Sequence, residues 1–222
     1  MSKIQIDKLI RSKRRSVALV ITKQATLEVR APYRTSLEFI YDFIEKKESW
    51  ILRKLEFMRQ NVVQNIPKKI IDGEEFLYLG KTYRLQISDC RKITCTDFLQ
   101  FPNHLLPAAK KYLMLWYRKQ ALLTITERVD WYANQTGLKY QTIKITNAKT
   151  RWGSCSARGG LNFSWYLIMA PLYIIDYVVV HELAHLIERN HSYRFWQQVK
   201  NIMPDYEAKR LWLKRNGHDL CL

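Results

Sequence analysis

Cysteine is scarce and irregularly placed: the four thiols stand at 90, 95, 155 and 221. That spacing fits neither a disulfide framework nor the paired C-x-x-C of a zinc ribbon, so reduced thiols are expected. Glycine (7) and proline (6) are few among 222 residues, and tracts of Gly, Ser, Pro or Gln are absent, which argues against a disordered linker. Internal repeats are absent too. Long hydrophobic runs are missing as well. The most apolar stretch, LIMAPLYIIDYVVV, is interrupted by Pro171 and Asp176 and falls short of the roughly 20 residues a membrane helix needs. The opening MSKIQIDKLIRSKRRS has no apolar segment followed by a small-residue cleavage site, so a cytoplasmic location with no membrane partner is expected. Acidic residues are in deficit, 20 against 37 basic ones, for a formal charge of +17. Such a field favours anionic partners such as nucleotides and nucleic acid, but it reports on association and not on chemistry.

What is present is globular: a 47% hydrophobic content with 26% charged residues supports one large domain, or a small domain beside a medium one. In SVALVITKQATLEVRAP the apolar residues Val17, Leu19, Ile21, Leu27 and Val29 alternate across a polar break, which predicts a hairpin. TSLEFIYDFIEKKESWILRKLEFMRQN opens on a Thr35-x-x-Glu38 capping box, and the helical recurrence of Ile40, Ile44, Ile51 and Leu55 predicts one long helix. About three strands are expected between residues 71 and 101, with Gly73 and Gly80 in turns. A boundary near Phe101–Pro107 would separate a β-rich region with one long helix (1–101) from a second domain (102–222).

In that second part, the spacing of Leu113, Trp116, Leu122, Ile125 and Val129 predicts a helix stopped by Gly137. YQTIKIT reads as a strand, NAKTRWGSCSARGG as a loop and LNFSWYLIMA as a strand. YIIDYVVV is strand-like by propensity, but its continuity with HELAHLIERN makes it a buried helix. Ser192 caps a further helix that Pro204 stops, and a last one runs to Gly217. The fold class is α+β.

The run VVVHELAHLIERNH, 178–191, holds three of the five histidines. Histidines four apart on a helix are separated by about 40° and 6 Å, so His181 and His185 can aim at one ion. Glu182, about 100° around from His181, is off that row but can reach a water held by the metal, where a general base is needed. The third ligand has several candidates: Glu188, His191, or a distant His104 or His218. Glu188 is about 10.5 Å up a continuous helix from His181, too far to share an ion with it. His191 qualifies only if the helix ends first, and Asn190, tolerant of the left-handed conformation, offers that end. The spacing equals that of the metzincins, but their turn glycine is replaced by Glu188, so that assignment fails.

The ordered blocks TRWGSC (150–155), LNFSWYLIMAP (161–171), DYVVVHELAHL (176–186), NHSYRFW (190–196) and PDY (204–206), together with RRS, VRAP, SWILRKL and YLGKTYRL in the first half, resemble the YgjP-like metal-dependent hydrolases, which are grouped with zincin-type metallopeptidases. The resemblance implies a zincin-like mixed fold and a site for zinc, or another divalent ion, at His181, His185 and His191, with Glu182 as catalytic base. It leaves the substrate open.

Trp152 and Cys155 read as packing beneath the metal helix. Arg151, beside a loop glycine, can offer donors to an oxyanion or a phosphate, or form a structural ion pair. RSKRRS at 11–16 reads as a solvated basic lead-in to a strand, with nucleic acid as an alternative contact. The leading reading is a zinc hydrolase cleaving peptides, with LNFSWYLIMA as the edge strand that pairs with substrate. A second reading keeps the metal and takes an anionic nucleotide as substrate. A third is a nucleic-acid-associated protein with a structural metal.

Overall fold

Alternation in the first thirty positions builds a small sheet. The structure, a computed structural model, describes residues 4–22, 24–62 and 68–222. Strands β1 (Lys8–Ser12), β2 (Ala18–Ile21) and β3 (Leu27–Pro32) lie in the order β1-β3-β2. The expected hairpin is β2–β3, antiparallel with Leu19 opposite Val29, and β1 adds in parallel on the other side. Leu27, Val29 and Ala31 are fully buried on one face of β3, as the two-residue period requires.

The helical segment that follows is two helices, not one: α1 (Leu37–Lys46) and α2 (Glu48–Val62). Lys47 leaves helical geometry at φ −111°, its amide shared between the carbonyls of Glu45 and Ile44. No glycine or proline marks this break. The cap is Ser36, whose hydroxyl accepts from the amide of Phe39, in place of Thr35. Arg11 explains the shift, because its guanidinium donates to the carbonyls of Pro32, Tyr33 and Thr35 and holds the turn ahead of the helix. Part of RSKRRS is therefore structural. Ile40, Ile44 and Ile51 pack with the buried face of β3.

The chain divides into compact units at 1–67 and 68–222, not at 101/102. Strands β4 (Glu75–Tyr78), β5 (Lys81–Ser88), β6 (Thr94–Cys95) and β7 (Leu99–Pro102) form a sheet in the order β4-β5-β7-β6. Their Phe76, Leu85, Leu99 and Phe101 share one buried cluster with the elements that follow, so a cut at 101 would split a core. Helix α3 (Ala109–Thr136) buries Leu113, Tyr117, Ala121, Ile125 and Val129 along a single i, i+4 row, and ends at Gly137, whose φ of +69° is left-handed.

Strands β8 (Thr142–Thr146), β9 (Gly153–Cys155) and β10 (Gly160–Ser164) form the third sheet in the order β8-β10-β9. Helices α4 (Leu172–Ala184), α5 (Tyr193–Ile202) and α6 (Tyr206–Asn216) complete the unit. The α+β class is as expected, with two local corrections. The loop-like NAKTRWGSCSARGG contains β9, and LNFSWYLIMA leaves the sheet at Ser164 for a 3-10 turn over Trp165–Met169. Moreover β10 is central and β9 is the edge.

Two contacts position α4. Arg128 of α3 makes a bidentate pair with Asp176 (2.6 and 3.1 Å). The β4–β5 turn donates from the amides of Leu79 and Gly80 to the carbonyls of Ile168 and Met169. Gly80 (φ +78°) lies so close to Pro171 that a Cβ would meet its ring at 2.6 Å, which locks the start of the helix. Among the described residues, no helix is long and apolar enough to cross a membrane.

Candidate metal centre

Helix α4 is apolar up to Val180 except for the paired Asp176, and Ile174–Val180 are buried without interruption, so its last turn emerges from the core with fixed orientation. That turn carries His181 and Glu182. The helix stops at His185, earlier than the sequence suggested, and the chain curls through amide bonds from Leu186 to Leu183 O and from Ile187 and Glu188 to Ala184 O. No left-handed residue makes this turn. Among the described non-glycine residues, only Ala25 and Leu79 have positive φ. Instead, the side chain of Asn190 accepts from the amide of Ser192, and the Ser192 hydroxyl caps α5 by accepting from Phe195. His191 is thereby folded back toward the helix.

Ligand nitrogens of His181, His185 and His191 lie within 4.8 Å of one another, and the Nε2 atoms of His181 and His191 are 3.0 Å apart. Nitrogens each about 2.1 Å from one tetrahedral ion stand roughly 3.4 Å apart, so the cluster has the scale of a metal site. His185 Nδ1 lies 3.0 Å from the carbonyl of Glu188. A carbonyl only accepts, so this nitrogen carries the proton and Nε2 keeps a lone pair for an ion. Burial, aided by His185, His191 and Arg210, pulls His181 down to about 3, and the same kind of influence lowers His191. Both imidazoles are held neutral, the form a ligand requires. Phe195 stacks on His185 with centroids 4.4 Å apart and fixes its ring plane. The donor set therefore fits a divalent ion.

Glu188 contributes its carbonyl and not its carboxylate, and His104 and His218 lie outside the cluster. No cysteine or carboxylate joins the three histidines among the described residues, which leaves them one donor short of a closed structural zinc site.

Glu182 is 4% exposed. Burial pushes its carboxyl up to about 8, and Oε2 has no hydrogen-bond partner among the described residues. Beside it lies Gly153, where a Cβ would meet Glu182 Oε1 at 2.5 Å and Cγ at 2.6 Å. The carboxylate thus rests in the space a side chain on β9 would fill. A cavity of about 440 Å³ opens over these groups, bordered by β9, the three histidines, Glu182, Arg151 and Arg189.

Arg151 lies at this cavity and has no ion pair among the described residues, while Arg189 donates to the carbonyl of Ala157 (3.1 Å). Cys155 also borders the cavity, with its thiol raised by burial and then by Glu182. Trp152 packs against Gly217, where a Cβ would come within 2.9 Å of the indole. The sequence offered no signal for Arg189 or Phe195. For Gly153 the only hint was a glycine between a large aromatic residue and a serine.

The edge of β9 faces the same cavity. Ser164 donates to Trp152 O and Ser156 to Gly160 O, so the even-numbered residues point their backbone groups at β10. By alternation, Gly153 and Cys155 turn their amides and carbonyls toward the free edge.

The YgjP-like metallopeptidase domain description matches residues 15–216. No curated protein matches. Two solved structures are similar to part of the chain. The metallopeptidase zymogen abylysin of Pyrococcus abyssi is 20% identical, with a TM-score of 0.37 over 40% of this chain and 93% of its own. The metallopeptidase zymogen jannalysin of Methanocaldococcus jannaschii is 21% identical, with a TM-score of 0.34 over 39% of this chain and 93% of its own. The match of the domain over nearly the full length, on top of a three-histidine cluster beside a buried glutamate, makes the chain a member of the YgjP-like metallopeptidase-domain family.

Proposed function

We propose that this protein is a zinc-dependent peptidase in which His181, His185 and His191 hold the ion and Glu182 moves the proton. The observation that carries this reading is the convergence of three imidazoles within 4.8 Å beside a buried carboxylate with a free oxygen. A divalent ion held there supplies Lewis acidity, which activates water near neutral pH and polarises a carbonyl. Glu182 accepts the proton of the attacking water and passes it to the leaving amine. Its burial makes it a strong acceptor, and Gly153 leaves it room to face the cavity. The outward amides and carbonyls of Gly153 and Cys155 pair with an extended substrate. This role moves to β9 from the segment 161–169, because β10 is covered on both sides.

A phosphoryl-directed reading rests on Arg151 and Arg189 at the cavity, which suit an anionic nucleotide. The two readings separate when the zinc-loaded protein and its Glu182→Gln variant are assayed on a peptide pool and a nucleotide panel. Peptide turnover that falls by several orders of magnitude in Glu182→Gln, with the ion retained, is the expected result. Nucleotide turnover without peptide turnover would replace the first reading with the second.

A further inference from the structure

The cavity is electrostatically one-sided. Its border carries two arginines, and among the described residues Glu182 is the only acidic one on it. Neither arginine has an ion-pair partner among the described residues; Arg189 is held only by the carbonyl of Ala157. A guanidinium kept at a cavity without a carboxylate is available to a ligand that brings one.

The two arginines also stand in a definite order along β9. Arg151 precedes Gly153 by two residues, and Arg189 is fastened to Ala157, two residues past Cys155. They bracket the strand. At about 3.3 Å per residue, β9 accommodates roughly three residues of a paired chain, so the side chains beyond either end of that chain arrive near one arginine or the other.

At the Arg151 end a second cavity of about 300 Å³ shares Arg151, Gly153 and Ser154 with the first and is otherwise bordered by Thr146, Ala148, Asn162, Ser164 and Trp152. The Asn162 amide leans on Ser154, donating to its carbonyl and hydroxyl oxygens at 3.4 Å.

From these observations we propose that the groove selects extended peptides carrying acidic side chains on both sides of the scissile bond, with Arg151 and Arg189 each reading one flank. The proposal rests on the peptidase reading above and deepens it. A nucleotide shares the negative charge, but it has no peptide backbone to pair with Gly153 and Cys155.

The test uses the zinc-loaded full chain and a set of peptides that differ only in having Glu, Ala or Lys at positions within three residues of the cut. Glu on either flank should raise kcat/KM at least tenfold over Ala. Arg151→Glu should transfer the preference to Lys on one flank only, and Arg189→Glu on the other, while Arg→Lys at either position keeps the preference for Glu. Both arginines are exposed, so these variants should fold.

A second readout needs no turnover: the Glu182→Gln protein should bind the doubly acidic peptide at least tenfold more tightly than the Ala version, with the gap closing at high salt. Cleavage without charge preference would overturn the subsites and leave the peptidase reading standing. A chain that neither cleaves nor binds any of the peptides, yet turns over a nucleoside triphosphate, would overturn both.

Discussion

A methyl group on Gly153 would stand 2.5 Å from Glu182 Oε1, closer than any real contact, and the backbone of β9 cannot retreat without breaking its pairing with β10. Gly153→Ala should therefore displace the carboxylate while leaving the histidines in place. We expect kcat to fall by about a factor of 100 with metal content unchanged, the cost of a misplaced catalytic group. An unchanged kcat in a metal-replete variant would show that Glu182 does not need this position.

Asn190 tests the other side of the site. Its side chain holds the turn that returns His191, through the amide of Ser192. Asn190→Ala should weaken metal affinity by about tenfold, measured by competition with a chelator, as expected for a residue that orients a ligand. At this scale the sequence was informative about the candidate site residues on α4. His181 and His185 announce themselves because helix geometry converts their spacing directly into a shared face, and Glu182 because it directly follows the first of them. Arg189 and Gly153 did not, because what gives them meaning is a strand more than 25 residues away in sequence from α4's last turn.

Among the elements, α4 does most to set the geometry, and its orientation depends on the pair between Arg128 and Asp176. Both side chains are largely buried, at 19% and 13% exposure. Asp176→Ala leaves the guanidinium without its partner and should cost about 3 kcal/mol of stability. Denaturant unfolding measures this, and a loss below about 1 kcal/mol would class the pair with surface bridges.

The helical nature of α4 was legible despite its β-branched run, since the apolar stripe continues through HELAHL. The strand β9 was not. Three residues, Gly, Ser and Cys, have little strand propensity of their own, and their extended form is imposed by pairing with β10. The same tertiary effect ended β10 at Ser164, where Trp165, Leu167, Ile168 and Met169 are all buried and a two-sided strand pattern no longer applies. The break at Lys47 was invisible for a different reason: both halves are good helix sequence, and nothing local marks the junction.

For the whole molecule, the three histidines, Glu182 and the core beneath them all belong to the unit 68–222. The boundary at 101 was misjudged because strands β4–β7 look, by composition, like a continuation of the first sheet, while their buried residues pack with α3. Metal binding should accordingly stabilise the second unit. At free zinc about 1,000 times its Kd, the linkage amounts to about 4 kcal/mol. Chelation should lower hydrogen-exchange protection across α4 and α5 and leave residues 4–62 unchanged. Equal loss in the first unit would contradict this assignment.

The central claim is that His181, His185 and His191 together hold one ion that Glu182 serves without binding it. Metal content per chain tests it most directly, measured by elemental analysis after equilibration with zinc and removal of the excess. The account predicts one ion per chain in the wild type and in Glu182→Gln, and a small fraction of that in His181→Ala, His185→Ala and His191→Ala. Full occupancy in His191→Ala, or loss of the ion in a folded Glu182→Gln, would contradict it.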